Sequence, residues 1–259
     1  MFSRAIVCLP SSNFAEGLTT SGLPAPDYAL AVKQHEAYCQ ALEELGLNVI
    51  QLPADDRYPD STFVEDTAVV TDRGAVLTRP GAPSRRGEVD AIRSALAEFY
   101  SDLHSIDGPG TLDAGDVCQA GDHFFIGLSD RTNEHGATQL ANIMLALGYT
   151  STLVDITRLN PTTPLLHLKS GLAYLGRKRL VVNDALGDRD EFSDFEVIHL
   201  ENAEAYAANC LTFDKSVLVA AGYPRYESQL QQLGYRTIAL DMSEFQKMDG
   251  GLSCLSLRF

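Results

Sequence analysis

No stretch of this chain approaches the roughly 18 consecutive apolar residues that cross a bilayer. The opening MFSRAIVCLP has too short an apolar run for a secretory signal. Basic residues are scarce: 20 Lys and Arg stand against 35 Asp and Glu, a net charge of -15. That argues against nucleic acid or an anionic membrane surface as a partner, because both need basic patches. Cysteines are few, odd in number and dispersed (Cys8, Cys39, Cys118, Cys210, Cys254), and no pair has metal-finger or redox spacing. A disulfide framework is therefore not expected, and a reducing, cytoplasmic setting is. No linker or low-complexity segment divides the sequence. With 259 residues, 45% of them hydrophobic, the chain can build a sizeable core, and it reads as one domain over 1–259.

What is present is a weak internal repeat. FVEDTAVVTDRGAVLTRP, RRGEVDAIRSALAEFY and LHSID read as strand, turn, strand, helix, strand. LDAGDVCQAGDHFFIGLS, TNEHGATQLANIMLALGY and STLVDI repeat the order. So do KSGLAYLGRKRLVVN, a short helical piece at 190–195, and EVIHL, and then AANCLTFDKSVLVAAG, PRYESQLQQLGY and RTIAL. A fifth unit is split: SCLSLRF closes the chain, while AIVCL, DYALAVKQHEAYCQALEELGL and NVIQL open it. Turns at Asp72-Arg73-Gly74, Ala120-Gly121-Asp122 and Gly176-Arg177-Lys178 separate paired strands. Gly46, Gly148 and Gly234 stop three helices, the first with a stripe of Leu30, Leu42 and Leu45. Units recurring about every 40 to 55 residues suggest blades around an axis, with a generic α/β domain as the alternative. Blades would bring the first-strand starts, at Asp66, Asp116, Gly171, Cys210 and Cys254, to one mouth.

Several residues at those starts can do chemistry. Cys254 follows a Gly-Gly turn and opens the last strand. A thiol there suits a nucleophile, with the glycines admitting a substrate close to the backbone, although a lone Cys more often serves as a small hydrophobe. His167, between two leucines, is the one histidine at a blade mouth. It can transfer protons near neutral pH or simply fill a core position. PDSTFVED and LDAGD place Asp60, Glu65, Asp66, Asp113 and Asp116 nearby, either to hold a cation or to cap turns. Arg85, in GAPSRRGE, and Arg131, in LSDRTNEHG, occupy matching positions in successive units. They suit a carboxylate, or else pair on the surface.

PDSTFVED, TRPGAPSRRGE, LDAGD, RTNEHGA, LHLKSGLAYL, YAANC and MDGGLSCLS, in this order over nearly the whole chain, resemble dimethylarginine dimethylaminohydrolase of the guanidine-modifying superfamily. The resemblance implies a five-bladed α/β propeller with pseudo-five-fold symmetry and no cofactor or metal. It implies Cys254 as nucleophile, His167 as general acid and base, and Asp113 as the carboxylate that orients the histidine and touches the guanidinium. It implies Glu65 and Asp66 on the guanidinium nitrogens and Arg85 and Arg131 on the substrate carboxylate. Asp60, Leu18 and the backbone at Met248 fall around the substrate amine and the lid. TRLNPTTPLLH, before His167, is longer than in some relatives. The expected ligand is a cationic guanidino amino acid, and a homodimer is left open. The expected reaction is hydrolysis of an N-omega-methylated arginine to citrulline and an alkylamine through a cysteine thiouronium. A hydrolase of another guanidino or ureido amino acid and a non-catalytic binding protein are the alternatives. Zinc on Cys254 and His167 would leave a tetrahedral site half filled.

Overall fold

A computed structural model describes residues 2–159 and 165–259. The part of the TRLNPTTPLLH stretch at 160–164 lies outside them. The chain opens with β1 (Arg4–Cys8), α1 (Tyr28–Glu44) and β2 (Asn48–Leu52). There follow β3 (Ala68–Val70), β4 (Ala75–Leu77), α2 (Val89–Leu96) and β5 (Leu103–Ser105). Next come β6 (Val117–Ala120), β7 (His123–Leu128), α3 (Glu134–Ala146) and β8 (Thr150–Asp155). The third unit has β9 (Leu172–Gly176), β10 (Arg179–Asn183) and β11 (Glu196–Leu200), with only a 3-10 turn, Asp190–Phe192, as its crossover. β12 (Leu211–Phe213), β13 (Ser216–Ala220), α4 (Pro224–Gln232) and β14 (Arg236–Leu240) form the fourth. A short α5 (Ser243–Gln246) and β15 (Leu257–Arg258) end the chain.

The strands form five three-stranded sheets, β3-β4-β5, β6-β7-β8, β9-β10-β11, β12-β13-β14 and β15-β1-β2. In every sheet the inner strand pairs antiparallel with the middle one, which pairs parallel with the outer one. The last sheet joins the two ends of the chain, with Ala5 opposite Arg258 and Ile6 opposite Leu257. This is the expected five-bladed α/β propeller.

The middle strands read as near-continuous apolar runs because each is buried on both faces. On β13, Val217 and Val219 enter the wedge against the third blade, while Leu218 and Ala220 enter the wedge against the fifth. On β1, Ile6 and Cys8 face the first blade, and Ala5 and Val7 the other side. The core is thus five wedges between neighbouring blades. Gly46, Gly148 and Gly234 all sit at positive φ just past their helices, the backbone state that stops a helix and suits glycine.

Two local expectations are corrected. Leu30 is 38% exposed, whereas α1 buries Ala31, Gln34, His35, Tyr38, Cys39, Ala41 and Leu42. Residues twelve apart on a helix are turned about 120° from one another, so Leu30 and Leu42 cannot share a stripe. Cys254 does not open a strand. It lies in a 3-10 turn, Ser253–Leu255, that precedes β15. Equivalent turns precede the other inner strands, at Val64–Thr67, Ala114–Asp116, Leu168–Ser170 and Asn202–Ala208. Five turns therefore ring one end of the axis. Beyond them the inner strands wall a cavity of about 670 Å³, with Glu65, Lys169, Asn209 and Ser253 among its lining residues.

Candidate active site

Each turn delivers polar side chains to the ring. Glu65 and Asp66 lie in the first, Asp113 caps the second, His167 caps the third, and Cys254 lies in the fifth. Asp66, Asp113 and His167 each offer an atom within 4.8 Å of the others, and all three are buried. His167 Nε2 is 3.2 Å from Asp113 Oδ2. The other oxygen of Asp113 accepts the Gly81 N–H at 2.8 Å. Asp66 accepts the Gly115 N–H at 3.0 Å and an Arg85 Nη1 hydrogen at 2.6 Å. Gly115 is required here, because a Cβ on it would stand 2.8 Å from both Asp66 Oδ1 and His167 Nδ1. Asp116 fixes the histidine loop from below. It is fully buried, it accepts the Leu168 N–H at 2.9 Å, and Ser129 and Thr132 donate their hydroxyls to it.

The electrostatics follow from this crowding. Burial works against the His167 cation, but the charges of Asp66 and Asp116 and the hydrogen bond to Asp113 outweigh it and raise the imidazole to about 9. Burial, then the charges of Glu65 and Asp66, push the Cys254 thiol up to about 12, against a Gly251 N–H and Lys169 that favour the thiolate. Burial lifts Asp116 to about 6. Burial opposes the Asp66 anion, yet His167 and Arg85 hold that carboxyl below its ordinary range. A cation seated among Asp66, Asp113 and Cys254 would relieve the repulsion between them. The Asp66–Asp113–His167 set could hold a metal ion, or two nitrogens of a guanidinium.

The remaining expected residues are placed less uniformly. Asp60 is buried and accepts the Leu18 N–H on both oxygens, at 3.0 and 3.2 Å. That bond anchors the segment after Gly17, which is held further on by Ser21 Oγ donating to the Lys247 carbonyl at 2.6 Å. The Leu18 side chain is 42% exposed and Met248 is buried. Arg131 is half-buried and its guanidinium makes no hydrogen bond or ion pair among the described residues. Arg85 differs sharply. Its Nε and Nη2 donate to Glu88, Nη2 also to the Phe63 carbonyl, and Nη1 to Asp66. Of its five N–H groups one, on Nη1, remains for a ligand. Glu65 turns both oxygens away from His167: one meets Lys169 and Arg258, and the other accepts the Ser253 hydroxyl at 2.7 Å.

Packing within the protein already requires both residues of the Gly-Gly turn. A Cβ on Gly250 would stand 2.3 Å from the Phe63 ring, and one on Gly251 2.6 Å from Asn209 Cγ. Sequence reasoning also missed Lys169, Ser253, Asn209 and Glu88. The signal for the first three was their position on the five repeated turns; nothing in the sequence pattern marks Glu88.

Comparison with known proteins gives a consistent relationship. A family profile described as N,N dimethylarginine dimethylhydrolase, eukaryotic, matches residues 27–251. The chain is 44% identical to an N(G),N(G)-dimethylarginine dimethylaminohydrolase of Pseudomonas aeruginosa over 100% of both chains. It is 34% identical to one of Streptomyces coelicolor over 98% of this chain and 96% of the relative. A solved structure of a mutant Pseudomonas aeruginosa enzyme complexed with citrulline superposes with a TM-score of 0.96, at 44% identity and full coverage of both chains. The N-terminal domain of an arginine dihydrolase from cyanobacteria, 19% identical, shares the fold with a TM-score of 0.87 over 98% of this chain and 96% of that one. With the profile, the full-length identity and the five-turn site in agreement, the chain belongs to the dimethylarginine dimethylaminohydrolase family, hydrolases that act on amidine C–N bonds.

Proposed function

We propose that this protein hydrolyses N-omega-methylated L-arginine, asymmetric dimethylarginine or monomethylarginine, to citrulline and the alkylamine, with Cys254 as nucleophile. The observation that carries the reading is the buried meeting of Asp66, Asp113 and His167 within 4.8 Å, with the Cys254 thiol near enough for the charges of Glu65 and Asp66 to help burial raise it to about 12. Such a pocket favours a cationic ligand with an electrophilic carbon. The guanidinium sits against Asp66 and Asp113, which fix its orientation through charge-assisted hydrogen bonds. Its positive charge beside the sulfur lowers the thiol pKa, and the proton leaves to solvent. The thiolate adds to the guanidinium carbon. His167, protonated at neutral pH, gives its proton to the departing amine, and the C–N bond breaks. This leaves a thiouronium on Cys254 and a neutral imidazole. His167 then takes a proton from water as that water attacks the same carbon. Cleavage of the C–S bond releases citrulline and returns the sulfur to its starting state.

Arg131, with the spare Nη1 hydrogen of Arg85, takes the substrate carboxylate, and Asp60 with the lid at Leu18 and Met248 encloses its amine. Glu65 acts on the guanidinium side from beneath, through Ser253. Support for the chemistry comes from relatives: one solved dimethylarginine dimethylaminohydrolase variant, 44% identical, is an adduct with S-methyl-L-thiocitrulline. The same reading takes residues 1–259 as one domain and places it in the cytoplasm, in keeping with five free thiols. No helix among the described residues is long and apolar enough to cross a membrane.

The test is incubation with asymmetric dimethylarginine and assay of citrulline and dimethylamine. Equal release of both, abolished in Cys254→Ser, is expected. Stoichiometric binding without amine release would instead make the protein a receptor for arginine derivatives.

A further inference from the structure

Four of the five turns around the mouth carry residues with an assigned part in the chemistry: Glu65 and Asp66, Asp113, His167, and Cys254. The fourth turn, Asn202–Ala208, ends at Asn209, which has none. We infer that Asn209 is the positioning residue that locks the loop carrying Cys254 to the loop carrying His167. This rests on the proposed roles of those two residues.

The geometry is specific. Asn209 Oδ1 accepts the backbone N–H of Ser253, the residue before Cys254, at 2.8 Å. Asn209 Nδ2 donates to Ser253 Oγ at 3.0 Å and to the carbonyl of Lys169, two residues past His167, at 3.0 Å. Ser253 Oγ in turn donates to Glu65, whose other oxygen holds the Lys169 ammonium. The bonds close a ring through four blades: Glu65, Ser253, Asn209, Lys169 and back to Glu65. Asn209 is its one amide. Only an amide can accept from one loop and donate to both without adding charge beside Cys254 and Glu65. Asn209 is 7% exposed, so these bonds are shielded from competing water. The absence of a side chain at Gly251 lets the amide lie flat against the nucleophile turn. Tyr206, three residues earlier, adds a second hold: its hydroxyl donates to the Gly250 carbonyl at 2.8 Å. The YAAN segment therefore grips the nucleophile turn on both sides of Gly251 and Leu252, and joins it to the histidine loop.

The experiment compares wild type with Asn209→Ala, Asn209→Asp and Tyr206→Phe. Misplacement of reacting groups by about an ångström costs on the order of 100-fold in rate. Asn209→Ala should therefore lower kcat by about 10- to 100-fold with KM changed by no more than about twofold. Tyr206→Phe should move kcat the same way by less. Labelling of Cys254 by 2-chloroacetamidine should slow in parallel in Asn209→Ala, a readout independent of any turnover. Asn209→Ala/Ser253→Ala should lose less than the sum of the two single losses, because the Nδ2–Oγ hydrogen bond is counted in both, while each side chain also has bonds of its own. If wild type releases no citrulline, the functional reading fails, while the labelling rates still decide the role of Asn209. Three results would overturn the inference: wild-type kcat and labelling in Asn209→Ala; additive losses in the double variant; or losses in Asn209→Ala and Asn209→Asp that merely track their unfolded fraction.

Discussion

At the scale of single residues, the two arginines expected to share one task have different surroundings. Arg131 has no partner among the described residues, so Arg131→Ala should weaken use of an amino-acid substrate while leaving a guanidine without a carboxylate and the melting temperature nearly unchanged. Arg85 neutralises two buried carboxylates, Asp66 at 2.6 Å and Glu88 at 2.8 Å. Arg85→Ala leaves both unpaired and should cost about 3 to 5 kcal/mol of stability besides activity. Equal melting temperatures for the two variants would contradict this. Two titrations belong to the same scale. With Cys254 raised to about 12, thiolate absorbance at about 240 nm in the free enzyme, measured against Cys254→Ser, should stay near zero at neutral pH and grow only in strongly alkaline solution. A standing thiolate below pH 6 would point to a Cys–His ion pair instead. His167 is raised to about 9, so its charge stabilises the fold fully below the free-imidazole value near 6.5. That contribution fades as pH rises through about 9. Amine release needs the same proton, so the rate should fall over the same alkaline range.

At the scale of elements, α1 carries a built-in sensitivity to acid. His35 is 1% exposed, its Nδ1 lies 3.6 Å from the Cys39 sulfur, and its Nε2 has no hydrogen-bond partner among the described residues. Burial lowers it to about 4. A depressed histidine is neutral in the fold and takes up a proton on unfolding. Its contribution is thus complete above about 6.5 and is lost as pH falls toward about 4. The loss should reach about 2 kcal/mol by pH 5. Denaturant unfolding of wild type and His35→Leu at pH 7 and pH 5 checks it: wild type should lose more on acidification than the variant. Parallel losses would mean that other groups govern acid stability. The helix also shows how local pattern misleads: its buried face includes Gln34 and His35, polar residues that no apolar stripe would select.

At the scale of the molecule, the ring closes through two short segments from opposite ends of the chain. Ser3 and Arg4 donate to the Phe259 carbonyl at 2.8 Å, and Phe259 donates back to Arg4 at 3.0 Å. Leu255 and Leu257 are buried in the two wedges on either side of the fifth blade. Removing 255–259 strips β1 of its inner partner and opens both wedges, so the truncated chain should not fold cooperatively. A truncated protein with an unchanged melting transition would show that the ring does not depend on this closure.

The sequence by itself determined the blades. Inner, middle and outer strands, their turns and their helix stops are local signals, set by backbone preference and by apolar runs on strands buried from both sides. It also set Cys254, His167, Asp113 and Asp66 near the starts of repeated units, where pattern alone left packing or turn-capping open and the resemblance to a family gave each its expected part. Only the tertiary structure decided how those residues are used. Whether Glu65 points toward His167 or toward Lys169 and what the Gly-Gly turn makes room for depend on side chains from other parts of the ring, while Arg85 turns to Glu88 three residues along its own segment. Asn209 belongs with them: its three partners lie 40 and 44 residues away along the chain. Hydrogen bonds and ion pairs act over a few ångströms, so contacts between blades leave no trace in local periodicity and exist only once the ring has closed.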